Sequence, residues 1–352
     1  MESLRTGDIR KILIVRFHSL GDIALSIPII HSLRRRFPEA GISYLCFSRY
    51  AEALKGVGEI DDVITMEGDV AGMISAVRRL RKEKFDLALD LLSSPGSGPV
   101  TWLSGASLRI GMDTGRHNWC YSHVLPRGSA SGGRSAARYT MDANREIPLL
   151  LGLEEGRPDG GTERCERVRN YDIGFPPALA EESWAEKYFN GLGDPGRGFA
   201  GLVPGSKCRL KSWPEENFAR LAGMLDDEGF RPLVLWGPGE EGAADRITAS
   251  APAAVKVPPM GIARLGAVIK RLAVLAGIDS GPKHVAVMQG IPTVTLFGPT
   301  DPRVWDPMTE RHRVIFRNLP CSPCGCGKCA ANVCMSGITP GEVIEEIRLA
   351  VR

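Results

Sequence analysis

The chain has 352 residues, 43% hydrophobic and 24% charged, with a formal net charge of +3 from 44 Lys and Arg against 41 Asp and Glu. That length exceeds what one core fills efficiently, so two domains of roughly 150 to 180 residues each are expected. The charge bias is too weak to argue for a nucleic-acid partner, no apolar run approaches the ~20 residues of a spanning helix, and the ILIV run near the start is too short for a signal peptide, so a cytoplasmic protein is expected.

Residues 11–16 (KILIVR) read as a buried parallel strand, being short, apolar and β-branched. After the turn FHSLGD, the segment IALSIPIIHSLRRRF carries apolar residues at helical spacing and closes at Pro38 and Gly41. Strand-like ISYLCFS (42–48) and VITM (63–66) follow, then a helical MISAVRRLRKEKF and the strand DLALDLL (86–92). The pattern loosens between about 150 and 198, apart from a helix at about 178–191. A second strand and helix series then runs FAGLVPG (199–205), WPEENFARLAGMLDDEG, PLVLWG (232–237), a helix from Glu240, AVKVP, GIARLGAVIKRL, AVLAGI, PKHVAVMQ and TVTLFG. Alternation of this kind predicts two doubly wound α/β domains with mostly parallel sheets covered on both faces.

In such sheets ligands bind at the carboxyl ends of the strands, which directs attention to the turns. The first, FHSLGDIALSIP, offers Ser19 or Asp22 as a helix cap and lacks GxGxxG, against a dinucleotide oxidoreductase. In VPGSKCRLKSWP, the turn Pro204-Gly205-Ser206 is followed by Lys207, Arg209 and Lys211, a phosphate-binding pattern or a solvated basic loop. LWGPGEE places Glu240 where it can complement a helix start or accept from ribose hydroxyls. The fourth, DSGPKH (279–284), combines an N-cap acid or hydroxyl (Asp279, Ser280), Gly281 for close approach, Pro282 for a first helical turn, and Lys283 with His284, so a helix N-terminus here can receive an anion. FGPTDP (297–302) adds Thr300 and Asp301 after the next strand.

Basic residues also cluster at Arg34, Arg35 and Arg36 and at Arg116, His117, Arg127, Arg134 and Arg138, as solvated surface or as a contact to an anionic substrate or lipid headgroups. Five of the nine cysteines crowd into CSPCGCGKCAANVC (Cys321, Cys324, Cys326, Cys329, Cys334), unlike a secreted disulfide framework. The C-x2-C-x-C-x2-C-x4-C spacing suits a structural zinc held by four thiolates, or reduced thiols, or a local disulfide.

Taken together, SLGDIALSIPIIHSLRRRFP, PGSKCRLKSWPEENFARL, IDSGPKHVAVMQGIPTVTLFGPTDP and CxPC with a later CMSGITPGEV make about residues 10–350 similar to glycosyltransferase family 9, the ADP-heptose:lipopolysaccharide heptosyltransferases. The resemblance implies a GT-B fold of two facing Rossmann-like domains. Residues 1–175 would bind the acceptor, and residues 176–352, including the cysteine-rich segment 321–334, the nucleotide sugar. It implies inverting, metal-independent transfer of heptose from ADP-heptose to a lipid A and Kdo inner core or to a heptose already there, with peripheral contact at the inner membrane face. Asp22 matches the family's general base. Ser206, Lys211 and the helix start at Ser280 match its diphosphate site, Asp279, Gly281 and His284 its D-[ST]-G-x-x-H, and Glu240 its acid near the ribose. Lys207 and Lys283 add charge to that donor site, and Ser19, Arg116 and Arg138 are the implied acceptor contacts. Lys283 stands where Met or Leu is commoner, and the usual His-x-x-[ED]-R is reduced to Arg138-Tyr139. Rival expectations are a nucleotide-sugar hydrolase or epimerase on the same fold, and a metal or redox module built on the cysteines.

Overall fold

A computed structural model of the protein describes residues 9–125, 138–150, 171–325, 327, 329 and 331–352. The chain divides into two compact units, Met1–Arg169 and Asn170–Arg352. In the first, β1 (Lys11–Val15), β2 (Gly41–Phe47), β3 (Asp62–Met66), β4 (Leu87–Asp90), β5 (Leu108–Met112) and β6 (His123–Leu125) form an all-parallel sheet in the order β3-β2-β1-β4-β5-β6. Its helices are α1 (Leu20–Ala24), α2 (Ile27–Arg36), α3 (Val70–Glu83), α4 (Ser97–Leu103) and α5 (Thr140–Leu150).

The second unit begins with α6 (Glu182–Leu192) and builds its sheet from β7 (Phe199–Val203), β8 (Arg231–Val234), β9 (Val255–Lys256), β10 (Leu272–Ile278), β11 (Thr293–Phe297) and β12 (His312–Phe316). The strands are again all parallel, in the order β12-β11-β10-β7-β8-β9. Between and after them lie α7 (Glu215–Asp227), α8 (Glu241–Ser250), α9 (Ile262–Ile269), α10 (Gly281–Met288), α11 (Pro302–Trp305), α12 (Val333–Ser336) and α13 (Pro340–Ala350). The expected two-domain α/β architecture is therefore present. Each unit also reproduces the 3-2-1-4-5-6 order of dinucleotide-binding folds, in which strand order reverses beside the first strand. That reversal falls between β1 and β4 in one unit and between β7 and β10 in the other, so the turns leaving these four strands border each crevice.

The apolar runs account for the strands buried on both faces. Ile12–Val15 and all of β4, β7 and β11 are buried, as strands covered on both faces by helices must be. Phe218 on α7 is fully buried and meets Trp213 edge to face with ring centroids 4.8 Å apart, while the Trp213 indole N–H donates to the Ile338 carbonyl at 2.9 Å. This contact seats the loop after β7 on the core.

Two expectations need correction. The single helix read over IALSIPIIHSLRRRF is two, α1 and α2, because Pro28 has no N–H for a continuing ladder and fits only a first turn, which begins after Ser26. The strand read to residue 92 stops at Asp90, whose Oδ1 accepts the N–H groups of Leu92 and Ser93 at 2.9 and 2.8 Å and so turns the chain. Three strands, β5, β6 and β12, were not anticipated.

Candidate active site

In the first unit the turn after β1 carries the acid expected to act as base. Asp22 lies in the first turn of α1 and reaches back to Ser19, whose N–H and hydroxyl donate to Oδ2 at 3.1 and 3.0 Å. Oδ1 is bonded and ion-paired to the Arg16 guanidinium. Arg16 also donates to the Leu91 carbonyl beyond β4, so one side chain ties together the two turns that border the crevice. Asp22 retains 15% of its side-chain exposure. Each carboxylate oxygen can accept two hydrogen bonds, so Oδ1, with one recorded donor, keeps acceptor capacity for a substrate hydroxyl. Arg16 was not anticipated, although a cation at the carboxyl end of a buried strand is a readable signal.

Nearby Asp90 is fully buried and takes the Tyr121 hydroxyl at 2.8 Å. Burial pushes its carboxyl up, against the hydrogen bonds from Ser93 and its neighbours. It is a structural hub rather than a solvent-facing acid. Arg116 is exposed beyond β5 and Arg138 is exposed just before α5; Arg127 and Arg134 lie outside the described residues.

In the second unit the turns after β7, β10 and β11 converge on Asp279. Lys211 Nζ donates to Asp279 Oδ2 at 2.6 Å and to its carbonyl at 3.2 Å, and Thr300 Oγ1 donates to the same Oδ2 at 2.9 Å. Asp279 is 4% exposed. Burial alone would raise its pKa, but the positive charges of Lys283 and Lys211 outweigh that, and the carboxyl sits below the usual range. Immediately after it Ser280 caps α10, and the Ser280 hydroxyl is buried without a hydrogen-bond partner. An unpartnered hydroxyl beside free N–H groups at a helix start is a site prepared for an acceptor, and an anion suits the positive helix end.

Lys283 takes neither a ligand-facing nor a solvent-facing orientation. It is 1% exposed, and its ammonium donates to the Trp305 carbonyl, lies 3.5 Å from Asp306 Oδ2 and 3.7 Å from Asp279 Oδ1, and stands 5.4 Å from the centre of the Phe297 ring. It is a buried counter-ion behind Asp279. Burial raises the Asp306 carboxyl even against Lys283. His284 is also buried, with Nε2 4.0 Å from Asp279 Oδ1 and Nδ1 unpartnered, and burial followed by the Lys283 charge holds its pKa well below the ordinary value of 6.5. His284 is therefore neutral at physiological pH.

The remaining expected donor residues frame this cluster. The Glu240 carboxylate accepts the Gly237 N–H at 2.8 Å and lies so close to the turn after β7 that a Cβ on Gly205 would come within 2.1 Å of its Oε2. Glycine at 205 is what permits the approach. Ser206 Oγ accepts the Cys208 N–H at 3.1 Å, and Lys207 is exposed. Thr300, read from the sequence as part of the turn after TVTLFG, joins this cluster through Asp279, whereas Asp306 was not anticipated. An open groove of about 1280 Å³, lined among others by Arg209, Trp213, Glu215 and Arg246, touches the loop after β7 but not DSGPKH.

The cysteine-rich segment braces the same loops. Asn332 Nδ2 donates to the Ser212 carbonyl at 3.2 Å, Gly325 N–H to the Pro299 carbonyl at 2.7 Å, and Ser322 Oγ to the Gly298 carbonyl. Cys321, Cys324, Cys329 and the buried Cys334 border a small apolar cavity of about 20 Å³, yet no three His, Cys, Asp or Glu side chains among the described residues come together to hold a metal ion. Cys326 lies outside the described residues.

Comparison with known proteins identifies the family and the fold. A family model described as glycosyltransferase family 9 (heptosyltransferase) matches residues 73–333. Lipopolysaccharide heptosyltransferase 3 of Escherichia coli is 23% identical over 313 residues, covering 84% of this chain and 85% of that one. A family 9 glycosyl transferase from Veillonella parvula DSM 2008 shares the fold with a TM-score of 0.81 at 20% identity, over 97% of each chain. So does the E. coli ADP-heptose lps heptosyltransferase II, with a TM-score of 0.73 at 20% identity over 97% of this chain and 98% of that one. With a model match over most of its length, and with the two Rossmann-like sheets and the turns that carry the resemblance in place, the chain belongs to glycosyltransferase family 9 and is a glycosyltransferase.

Proposed function

We propose that this glycosyltransferase moves heptose from ADP-heptose to a lipopolysaccharide inner-core acceptor, Kdo or heptose, with inversion and without a catalytic metal. The observation that carries the reading is the cluster at the β7/β10 crevice, where Lys211, Asp279 and Thr300 draw three turns together beside the unpartnered Ser280 hydroxyl at the start of α10. The names of the relatives supply the sugar.

In this scheme the Asp22 carboxylate takes the proton of the acceptor hydroxyl as that oxygen bonds to the anomeric carbon. The bond from the anomeric carbon to the diphosphate breaks, and ADP leaves with the electron pair on its terminal phosphate oxygen. Lys211 and the amides at the start of α10 stabilise that charge in place of a metal. Lys283 has a supporting part: shared between Asp279 at 3.7 Å and Asp306 at 3.5 Å, it offsets part of the Asp279 charge that Lys211 faces. The test is release of ADP from ADP-heptose by the full chain with and without a Kdo-bearing lipid A acceptor, in buffer with excess chelator. Acceptor-dependent release that survives chelation is expected. Release without acceptor would favour a hydrolase or epimerase, and loss on chelation would overturn the metal-free step.

A further inference from the structure

Asp90 is a buried acid that the transfer scheme leaves unused, and the turn it organises leads back to Asp22. Its Oδ1 accepts the N–H groups of Leu92 and Ser93, and its Oδ2 accepts the Tyr121 hydroxyl at 2.8 Å and the Thr101 hydroxyl at 3.3 Å. Leu91, in the middle of this turn, is fixed on both sides. Its N–H donates to the Val15 carbonyl at the end of β1 at 3.0 Å, and its carbonyl accepts from Arg16 Nη1. Arg16 itself stands one residue beyond β1, with its backbone N–H on the Leu45 carbonyl of β2 at 3.1 Å. Its guanidinium is held by the two terminal nitrogens alone, Nη1 on Leu91 and Nη2 on Asp22 Oδ1, while Nε is buried without a hydrogen-bond partner. A planar fork bonded to two separate turns cannot rotate without breaking one of them.

The donors around Asp22 decide where a proton can go. Oδ2 receives both the N–H and the hydroxyl of Ser19, which fills the two acceptor positions of that oxygen. A carboxylate that served only the start of α1 would be complete with these. Oδ1 has the Arg16 bond in addition, so one of its two positions is filled and one is open. The direction of the guanidinium fixes which position that is. Both side chains are largely buried, so water competes little with the arrangement.

We propose that Arg16 is a positioning residue for the transfer: anchored on the Leu91 carbonyl, it aims the open position of Asp22 Oδ1 at the reacting hydroxyl. The acceptor's proton passes to that oxygen, and the guanidinium keeps its own. The inference rests on the assignment of Asp22 as base. ADP release from ADP-heptose with a Kdo-bearing lipid A acceptor is measured for wild type, Arg16→Ala, Arg16→Lys and Asp22→Asn, beside calorimetric ADP binding and a thermal melt. In Arg16→Ala kcat should fall about 10²-fold, as when a reacting group is misplaced by about 1 Å, with ADP affinity unchanged. Ethylguanidinium replaces the missing atoms and should recover about tenfold of that loss in Arg16→Ala, with no effect on Asp22→Asn. Arg16→Lys keeps the charge without the fork and should fall about tenfold. Wild-type kcat in Arg16→Ala, a loss that ethylguanidinium leaves unchanged, or ADP binding weakened in step with kcat would overturn the proposal. If Arg16→Ala does not fold, wild-type kcat in Arg16→Lys overturns it. Full turnover in Asp22→Asn, or none in the wild type, would remove the base assignment and this inference with it. Loss in Asp22→Asn with full turnover in Arg16→Ala would remove Arg16 alone.

Discussion

The two units have the same strand order and each places an acid beside the reversal of that order, on opposite sides of it, and the acids have opposite surroundings. Asp22 follows the first strand of its sheet, keeps 15% exposure and is matched by one cation, Arg16, bonded to one oxygen. Asp279 follows the fourth strand of its sheet, is 4% exposed and lies between two lysines, with Lys211 at 2.6 Å on the outer side and Lys283 at 3.7 Å on the inner. One arrangement leaves an oxygen able to accept a proton, and the other sets the Lys211 ammonium beside a helix start. Under the proposed reaction the fold supplies two equivalent crevices, and a few side chains suit one to a base and the other to a leaving diphosphate.

That contrast can be broken at either end. Asp22→Asn keeps the shape and the Ser19 contact but removes the base, so turnover should fall by about 10²–10⁴ with the melting temperature little changed. Steady-state assay beside a thermal melt checks this. Lys211→Met should lower kcat by about 10²–10³, the usual effect of removing one charge-stabilising donor, and should weaken ADP binding as well. Asp279 would still be paired with Lys283 in that variant, so the fold should hold.

The inner half of the lysine pair is tested through stability. Lys283→Met leaves Asp306 buried and unpaired and should cost about 3 kcal/mol in denaturant unfolding. Lys283→Met/Asp306→Leu should recover most of that loss, since an apolar pair of similar volume can replace a buried ion pair. Equal stability of the wild type and the single variant would remove Lys283 from its assigned role.

The smallest effect is on pH. His312 is held at about 4 by burial first and then by the nearby Arg311 and Lys283 charges, and His284 is lowered mainly by burial. Both are neutral in the folded state, whereas the unfolded chain takes up their protons below about 6.5, so stability should fall as pH drops from 6.5 toward 4. His312 alone accounts for about 2 kcal/mol between pH 7 and pH 5. Asp279, depressed by its lysines, adds a loss at still lower pH, while Asp306, raised by burial, changes stability in the opposite direction. Denaturant curves at pH 7 and pH 5 for wild type and His312→Gln measure the effect.

Central strands were legible because β1, β7, β10 and β11 are nearly continuous apolar runs, the pattern of sheets covered on both faces. The missed strands lacked that pattern. β6 has three residues, two of them exposed, and β12 (HRVIF) begins with a His and an Arg. In the site, DSGPKH and the lysines after β7 were legible as turn chemistry, but pairing was not. Thr300 reads as a turn residue until the sheet brings β11 beside β10, and Asp306 reads as an exposed acid until Lys283 is seen to point inward. A buried lysine runs against the usual exposure of its type, and only its partner across the fold accounts for it.

Calorimetric titration of ADP into the wild type, Asp22→Asn and Lys211→Met tests most directly whether the two acids divide the work. Equal affinity in the wild type and Asp22→Asn, with at least tenfold weaker binding in Lys211→Met, is expected for a second-unit donor seat and a first-unit base. Unchanged affinity in Lys211→Met, or a comparable loss in Asp22→Asn, would contradict that division.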